Sequence, residues 1–516
     1  MITARIDARD LTDDWRATLD ELQRTDVVAR LWAADHTAVQ DDPEEVANRL
    51  GWLHSPRAAL ESWPQWALLA DEIVDGAADR SPRGVTDVLV LGMGGSSLFP
   101  DVLARTFEPG DGFCRVHVLD STDPAAVRAA TDTLPADSTL VIVASKSGST
   151  VETRSHLEYF WKRHPVGPSY VAITDPGSGL EQLATERGFR AVVHGDPDIG
   201  GRFSAISAFG LFPAAMMGID GRALIDTAAE AADLLGADVP PTEHPGAQLG
   251  ALMAVAARAG RDKLTFLIDP RLEAMGDWLE QLIAESTGKA GVGVLPVVGE
   301  PADAPDAEHR CYVLIGDVDV DPTTLAGPWV QVGVEEPEDL GAQVVLWEFA
   351  TAICGIVLGV NPFDQPDVES AKIAARERLA DGADATGAPD IATLEEALAL
   401  VRPGDALMIG AFVDPALQPE LQAARLALGR RLGVATTLGL GPRFLHSTGQ
   451  LHKGGADRQV MVQCLGGHEF DVEVPGESYT FGQLEAAQAD GDLAALAAAG
   501  KRALRVPLAD VLSAAD

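Results

Sequence analysis

Lysine is scarce in this chain. Seven occur in 516 residues (Lys146, Lys162, Lys263, Lys289, Lys372, Lys453 and Lys501), and none precedes Lys146. Arginine carries the ordinary surface charge, so a lysine kept against that bias marks a position to inspect. Positive charge as a whole is short: Lys+Arg 39 against Asp+Glu 78 leaves a net charge of −39. Such a surface repels nucleic-acid phosphates and anionic lipid, so neither nucleic acid nor membrane is expected as a partner. An anionic small molecule needs a pocket where donors are concentrated locally. Cysteine is also rare. Cys114, Cys311, Cys354 and Cys464 lie far apart, mostly in apolar runs, with neither metal-ligand spacing nor a disulfide framework. The opening MITARIDARDLTDDW has no apolar signal core, and no apolar run is expected to reach transmembrane length. A cytoplasmic protein is the expectation.

A hydrophobic content of 46% over this length suits a soluble globular chain of two or three domains. Residues 1–80 read as a helical segment, with Trp15, Leu19, Leu22, Trp52, Trp63 and Trp66 as packing anchors. Residues 81–205 alternate strands (87–91, 115–119, 140–144, 170–174 and 190–193) with helices, which implies a doubly wound parallel sheet of α/β class. Residues 206–380 open with a helical stretch, 205–217. They repeat the alternation at 264–268, 294–298, 312–315 and 330–333, then run into a long apolar helix at 342–360. After a Gly/Ala/Asp-rich linker at 381–390, residues 391–516 read as a smaller α+β domain, with strands at 406–413 and 434–440 around a helix at 420–431.

The organising stretch is TLVIVASKSGSTVET, residues 139–153. Its β-branched run has the pattern of a strand buried on both faces. Ser145, Lys146, Ser147, Gly148, Ser149 and Thr150 then lead into a helix. A buried strand, a hydroxyl-rich turn and a helix N-terminus together make an anion cradle, because unpaired N–H groups and the positive end of the helix dipole converge there. A second Gly-rich turn, GMGGSS at 92–97, follows the first strand. It lacks the acidic residue of a dinucleotide site, so a Rossmann cofactor is not expected. Ligands of such sheets bind at the carboxyl ends of the strands, where both turns lie.

Four further constellations carry chemistry. Gln281 and Glu285, four apart in LEQLIAESTGK, share a helix face near its C-terminus, where the dipole favours a neutral carboxyl and suits a general base working near neutrality. Arg202 follows two glycines in GGRFS, which would allow close approach to a ligand and let the guanidinium stabilise an oxyanion. Gln365 and Lys372 lie seven apart in NPFDQPDVESAK, where Pro366 marks a helix start. His446 lies in LHSTGQLHKGG; His452 in the same run reads as an ordinary loop histidine.

Taken together, GMGGSSLFP, ASKSGSTVET, GGRFS, LEQLIAESTGK, GVNPFDQPDVESAK and LHSTGQ closely resemble the glucose-6-phosphate isomerase family, built of two sugar isomerase (SIS) domains. They span residues 92–450. Within the family the chain is most similar to the isomerase half of bacterial transaldolase–isomerase fusions; a transaldolase needs a Schiff-base lysine, and none precedes Lys146. The resemblance implies interconversion of glucose 6-phosphate and fructose 6-phosphate through a cis-enediol, without metal or cofactor. It implies that Ser145, Lys146, Ser147 and Thr150 cradle the phosphate with Gln365 nearby, that Gly95 and Ser96 contact the sugar, and that Glu152 and Gln281 flank it. Glu285 is then the base, Arg202 stabilises the enediolate, and Lys372 with a histidine opens the ring. A homodimer is also implied, and the 342–360 helix is long enough to be buried at its interface. The chain departs from the family in one respect: the family's histidine falls between base and lysine, where only His309 stands, whereas the LHSTGQ surroundings belong to His446. His446 is therefore expected to open the ring, from its own subunit or a neighbouring one. The competing readings are a non-catalytic SIS sensor of sugar phosphates and an isomerase that also accepts mannose 6-phosphate.

Overall fold

A computed structural model describes residues 4–76, 84–368, 373, 375, 379 and 390–515. Its strands form three sheets. The first contains Asp87–Leu91 (β2), Arg115–Leu119 (β3), Thr139–Ala144 (β4), Tyr170–Thr174 (β5) and Ala191–His194 (β6), in the order β3-β2-β4-β5-β6 and all parallel. Every residue of β2, β4 and β5 is buried, which is why these strands read as continuous apolar runs. Strand β2 has β3 on one side and β4 on the other, so the winding reverses between β2 and β4. The crevice opens at their carboxyl ends, where 92–97 and 145–150 emerge.

The second sheet contains Lys263–Ile268 (β7), Leu295–Val297 (β8), Arg310–Ile315 (β9) and Trp329–Val332 (β10), parallel and wound in the same sense. Its outer edge is closed by Ala4–Asp7 (β1), which pairs antiparallel with β10. A strand thus opens the segment that reads as helical, since four residues are too few to show a period. The third sheet contains Ala406–Phe412 (β11), Ala435–Leu440 (β12), Gln459–Leu465 (β13) and Arg502–Arg505 (β14), in the order β12-β11-β13-β14. All of its pairings are parallel. The α+β expectation for residues 391–516 is corrected here: the unit is α/β, because β13 and β14 extend the ladder through helical crossovers. In each sheet the first parallel strand lies between the second and the third, so one winding occurs three times without a legible sequence repeat.

One large apolar core runs from the N-terminal helices through the first two sheets, and the third sheet has its own. Helix Ala208–Met217 starts later than the expected 205, because Ser207 Oγ accepts from Phe209 N and sets the cap. Helix Leu340–Leu358 packs against helices Gly221–Leu234, Pro245–Arg258 and Met275–Thr287. The span Pro337–Leu358 is long and apolar enough to cross a membrane by length and composition, contrary to the expectation that no run is, and 89% of its most apolar window is buried inside the fold. The same burial leaves it no face for a subunit interface, the role suggested for it from its length.

Candidate active site

The 145–150 turn is held by its own hydroxyls. Ser145 Oγ accepts from Gly148 N at 3.1 Å and lies 3.2 Å from Thr150 Oγ1, and Ser147 Oγ lies 2.8 Å from Ser149 Oγ. Gly148 has φ +70°, and a Cβ there would stand 2.6 Å from Leu180 N, so the turn requires glycine. Thr150 caps helix Val151–Arg163 by position without using its side chain. The cradle hydroxyls and the first N–H groups of the helix are thus available to an anion. Lys146 behaves differently. Its Nζ pairs with Asp175 Oδ2 at 2.6 Å and donates to Asp196 O and Pro197 O at 3.1 Å each. Its charge ties together the loops after β5 and β6.

The glycines of the other turns make room for protein as well as ligand. A Cβ on Gly95 would lie 1.9 Å from Gly201 O, and one on Gly94, at φ +56°, would lie 2.7 Å from Gln281 Nε2 and 2.8 Å from His446 O. Four segments distant in sequence close on one another there. Ser96 stands at the rim of the cavity they enclose.

Helix Met275–Thr287 presents Gln281 and Glu285 one turn apart, both buried, with Gln281 Nε2 donating to Glu285 Oε2 at 3.2 Å. Arg202 Nη1 lies 3.8 Å from the same Glu285 oxygen. The guanidinium is fixed by Ser286 Oγ (2.8 Å) and by the carbonyls of Pro362 (2.6 Å) and Asp364 (2.9 Å). The 361–365 segment is held again by Lys289, which bonds the Asn361 and Asp364 carbonyls and pairs with Asp364 Oδ1 at 2.8 Å. Burial, reinforced by the like charge of Arg202, pulls the Lys289 ammonium down to about 7. Gln365 borders the cavity from this segment, and Lys372 lies outside the described residues.

His446 reaches the cavity from the third unit of the same chain. Its Nε2 is 2.8 Å from Glu152 Oε1, and its carbonyl accepts from Gln281 Nε2 at 2.7 Å, so one glutamine amide joins the loop of His446 to Glu285. Burial alone would raise the Glu152 carboxyl, but the charge and hydrogen bond of His446 bring it to about 2. An ionised Glu152 holds the imidazole as a donor through Nε2, and Nδ1 makes no bond among the described residues. His309 is elsewhere: it pairs with Asp306 at 2.5 Å and lies against Gly404. His452 is buried between Gln459 Oε1 (2.7 Å) and Thr448 Oγ1 (2.8 Å), and burial lowers it to about 3. It is a neutral strut behind the His446 loop. Gln450 braces the same loop by donating to Gly288 O at 3.0 Å and accepting from Asp367 N at 3.0 Å.

Every site residue named from the sequence, Lys372 excepted, borders one cavity of about 620 Å³, a volume suited to a small ligand. Arg49, Lys453 and Gln488 also border it and were missed. Lys453 carried a signal in its rarity. Arg49 and Gln488 carried none, because each enters from a segment remote from the motifs. The cavity is lined by a hydroxyl-rich turn at a helix N-terminus together with a carboxylate, a guanidinium and a carboxylate-held imidazole. That set suits proton transfers on a phosphorylated substrate.

A family model described as phosphoglucose isomerase matches residues 66–294. A glucose-6-phosphate isomerase of Rubrobacter xylanophilus is 29% identical over 440 residues, covering 70% of this chain and 96% of that protein. One of Thermosynechococcus vestitus is 31% identical over 367 residues, covering 60% of this chain and 69% of that protein. Among solved structures, a hypothetical protein from Thermus thermophilus superposes with a TM-score of 0.57 at 26% identity, over 73% of this chain and 100% of that one. A glucose-6-phosphate isomerase from Chlamydia trachomatis superposes with a TM-score of 0.61 at 18% identity, over 75% of this chain and 89% of that one, and shows the shared fold.

Proposed function

The chain belongs to the glucose-6-phosphate isomerase family, and from that membership we propose how its cavity performs the isomerisation. The reaction interconverts glucose 6-phosphate and fructose 6-phosphate. The observation that carries the reading is the meeting of Glu285, Arg202 and the His446–Glu152 pair with the hydroxyl cradle in one cavity. The phosphate is held by Ser145, Ser147, Thr150 and the N-terminus of helix Val151–Arg163, with Gln365 beside it. Lys146 contributes indirectly, since Asp175 offsets its charge.

Ring opening moves the proton of the anomeric hydroxyl to the ring oxygen as the C1–O5 bond breaks. His446 relays it through Nδ1 while Glu152 steadies Nε2. Lys372 is the partner acid that the family motif supplies. In the open chain Glu285 takes the C2 proton, and the electron pair passes through C1 to O1, giving an enediolate beside Arg202. Glu285 then returns the proton to C1 as O2 becomes the carbonyl and its proton moves to O1. One carboxylate serves both carbons because they present the proton on the same side of a cis-enediol. No observation favours the sensor or the mannose 6-phosphate reading.

The proposal includes a homodimer whose interface lies away from the buried Leu340–Leu358 helix, a cytoplasmic location, and no nucleic-acid or membrane partner, the last in keeping with the −39 charge. Coupled assays on the purified protein with glucose 6-phosphate, fructose 6-phosphate and mannose 6-phosphate test the activity. Turnover confined to the first pair is expected, and no turnover of either would refute it. Light scattering tests assembly: a fully active monomer would remove the dimer.

A further inference from the structure

Helix Phe481–Ala498 belongs to the third unit, yet its inner face serves the cavity. Glu485, Gln488 and Asp492, at spacings of three and four, lie on one side of it and are buried. Glu485 meets His468 at 3.0 Å, and His468 in turn lies 3.6 Å from Asp123, the cap of a helix in the first unit. Asp492 pairs with the buried Lys453 at 2.5 Å. Between these two anchors stands Gln488. Thr122 Oγ1, fully buried, donates to Gln488 Oε1 at 2.9 Å, and Gln488 Nε2 donates to Glu152 Oε1 at 2.6 Å.

The chain of donors has a single direction. The ionised Glu152 carboxylate can only accept, so the Gln488 amide must turn its nitrogen to Glu152 and its oxygen to the Thr122 hydroxyl, which then donates. The Glu152 oxygen that receives this bond is the one that receives His446 Nε2. Two donors on one carboxylate oxygen keep that carboxylate ionised and its oxygen in place. The imidazole then keeps its proton on Nε2 and offers Nδ1 to the substrate.

We propose that Gln488 is a positioning residue for ring opening, acting through Glu152 to fix the tautomer and orientation of His446. This rests on the reading above of His446 as the ring-opening group. The role belongs to ring opening alone, because Gln488 makes no bond to Glu285 or Arg202 among the described residues.

The test separates the two halves of the reaction. 5-Deoxyfructose 6-phosphate lacks the O5 that closes the ketose ring, so it stays open and bypasses ring opening. Gln488→Met, of similar length and without either hydrogen bond, should lower kcat on fructose 6-phosphate by about tenfold or more and leave kcat on the 5-deoxy substrate unchanged. Gln488→Glu sets a second carboxyl against Glu152. It should work at acid pH, where the pair shares a proton, and fail as that proton leaves with rising pH, whereas Gln488→Met stays low throughout. Thr122→Val, outside the cavity, should show the same substrate split more weakly and covers the case in which a Gln488 variant fails to fold. Equal loss on both substrates, a higher KM with kcat intact, or identical pH profiles for Gln488→Met and Gln488→Glu would overturn the proposal. His446→Ala is measured in parallel. If it spares the cyclic substrate, the underlying reading fails; if it slows that substrate while Gln488→Met does not, only the role of Gln488 fails.

Discussion

The two sets of residues that line the cavity are built in opposite ways. The proposed anion cradle is one turn of chain, 145–150, between a buried strand and a helix, and its hydroxyls bond mainly to one another. The proposed proton-transfer set is assembled from Glu285 on a second-sheet helix, Arg202 from the loop after β6, Glu152 from the cradle's own helix, and His446 and Gln488 from the third unit. Local geometry suffices to bind an anion, since a helix N-terminus already presents its donors. Moving protons between two carbons and a ring oxygen requires groups on several sides of the sugar, which no single turn supplies.

The largest effect that tests this division is at Glu285. Glu285→Gln should preserve the fold and sugar-phosphate binding while turnover falls by at least about 10² to 10⁴-fold, the usual contribution of a general base. Rapid-quench turnover beside a binding titration checks it, and near-normal turnover would remove Glu285 as the base. The cradle comes next. Each hydrogen bond to a charged group contributes about 1.5–3 kcal/mol, so Ser147→Ala combined with Thr150→Ala should cut kcat/KM by on the order of 10²-fold or more, raising KM and lowering kcat because the phosphate also orients the sugar. Undiminished affinity for sugar phosphates would mean that the anion binds elsewhere. Lys146→Met should cost less, about a few-fold in KM, because its charge is already offset by Asp175. A larger loss than in the double variant would return Lys146 to direct phosphate contact.

Acid stability sharpens the contrast further. His156 lies on the buried side of the cradle helix Val151–Arg163, bonded to Ser121 O and stacked on Phe481, and burial lowers it to about 4. His452, lowered by burial to about 3, braces the His446 loop. Both values lie below the unfolded value of about 6.5, so the unfolded chain binds more protons as the pH falls through it. The contribution of each group is complete above about 6.5 and is lost below it, by about 1.4 kcal/mol per pH unit down to its folded value. Urea unfolding at pH 7 and pH 5 should show this contribution as a difference: on going to pH 5, His452→Gln loses less stability than the unsubstituted protein, whatever the buried carboxyls Glu280 and Glu485, raised to about 8 and about 7, add in the opposite sense to both. An unchanged pH slope in that variant would mean that His452 is already charged in the fold.

The same division decides what could be read from the sequence. The cradle, the buried strands and the winding of the first two sheets are local patterns, and they stand where the residues put them. The glycines were legible as close approaches, but what approaches Gly95 is the carbonyl of Gly201, and no pattern names a partner so distant in sequence. Glu285, Arg202 and His446 each look ordinary in isolation, and only the family resemblance linked them. Strand β14 is four residues long and only partly buried, which hid the parallel character of the third sheet. Gln488 could not be found at all, since a glutamine in an Ala-rich helix shows its role only when Thr122 and Glu152 stand on either side of it.

The claim that ties these parts together is that the third unit supplies the ring-opening histidine, out of the family's order along the chain. Its most direct test is the ratio of kcat on fructose 6-phosphate to kcat on 5-deoxyfructose 6-phosphate for His446→Ala, with His309→Ala as the reference. The account predicts that His446→Ala lowers this ratio by about 10² or more while His309→Ala leaves it unchanged. An unaltered ratio in His446→Ala, or a collapsed one in His309→Ala, would contradict it.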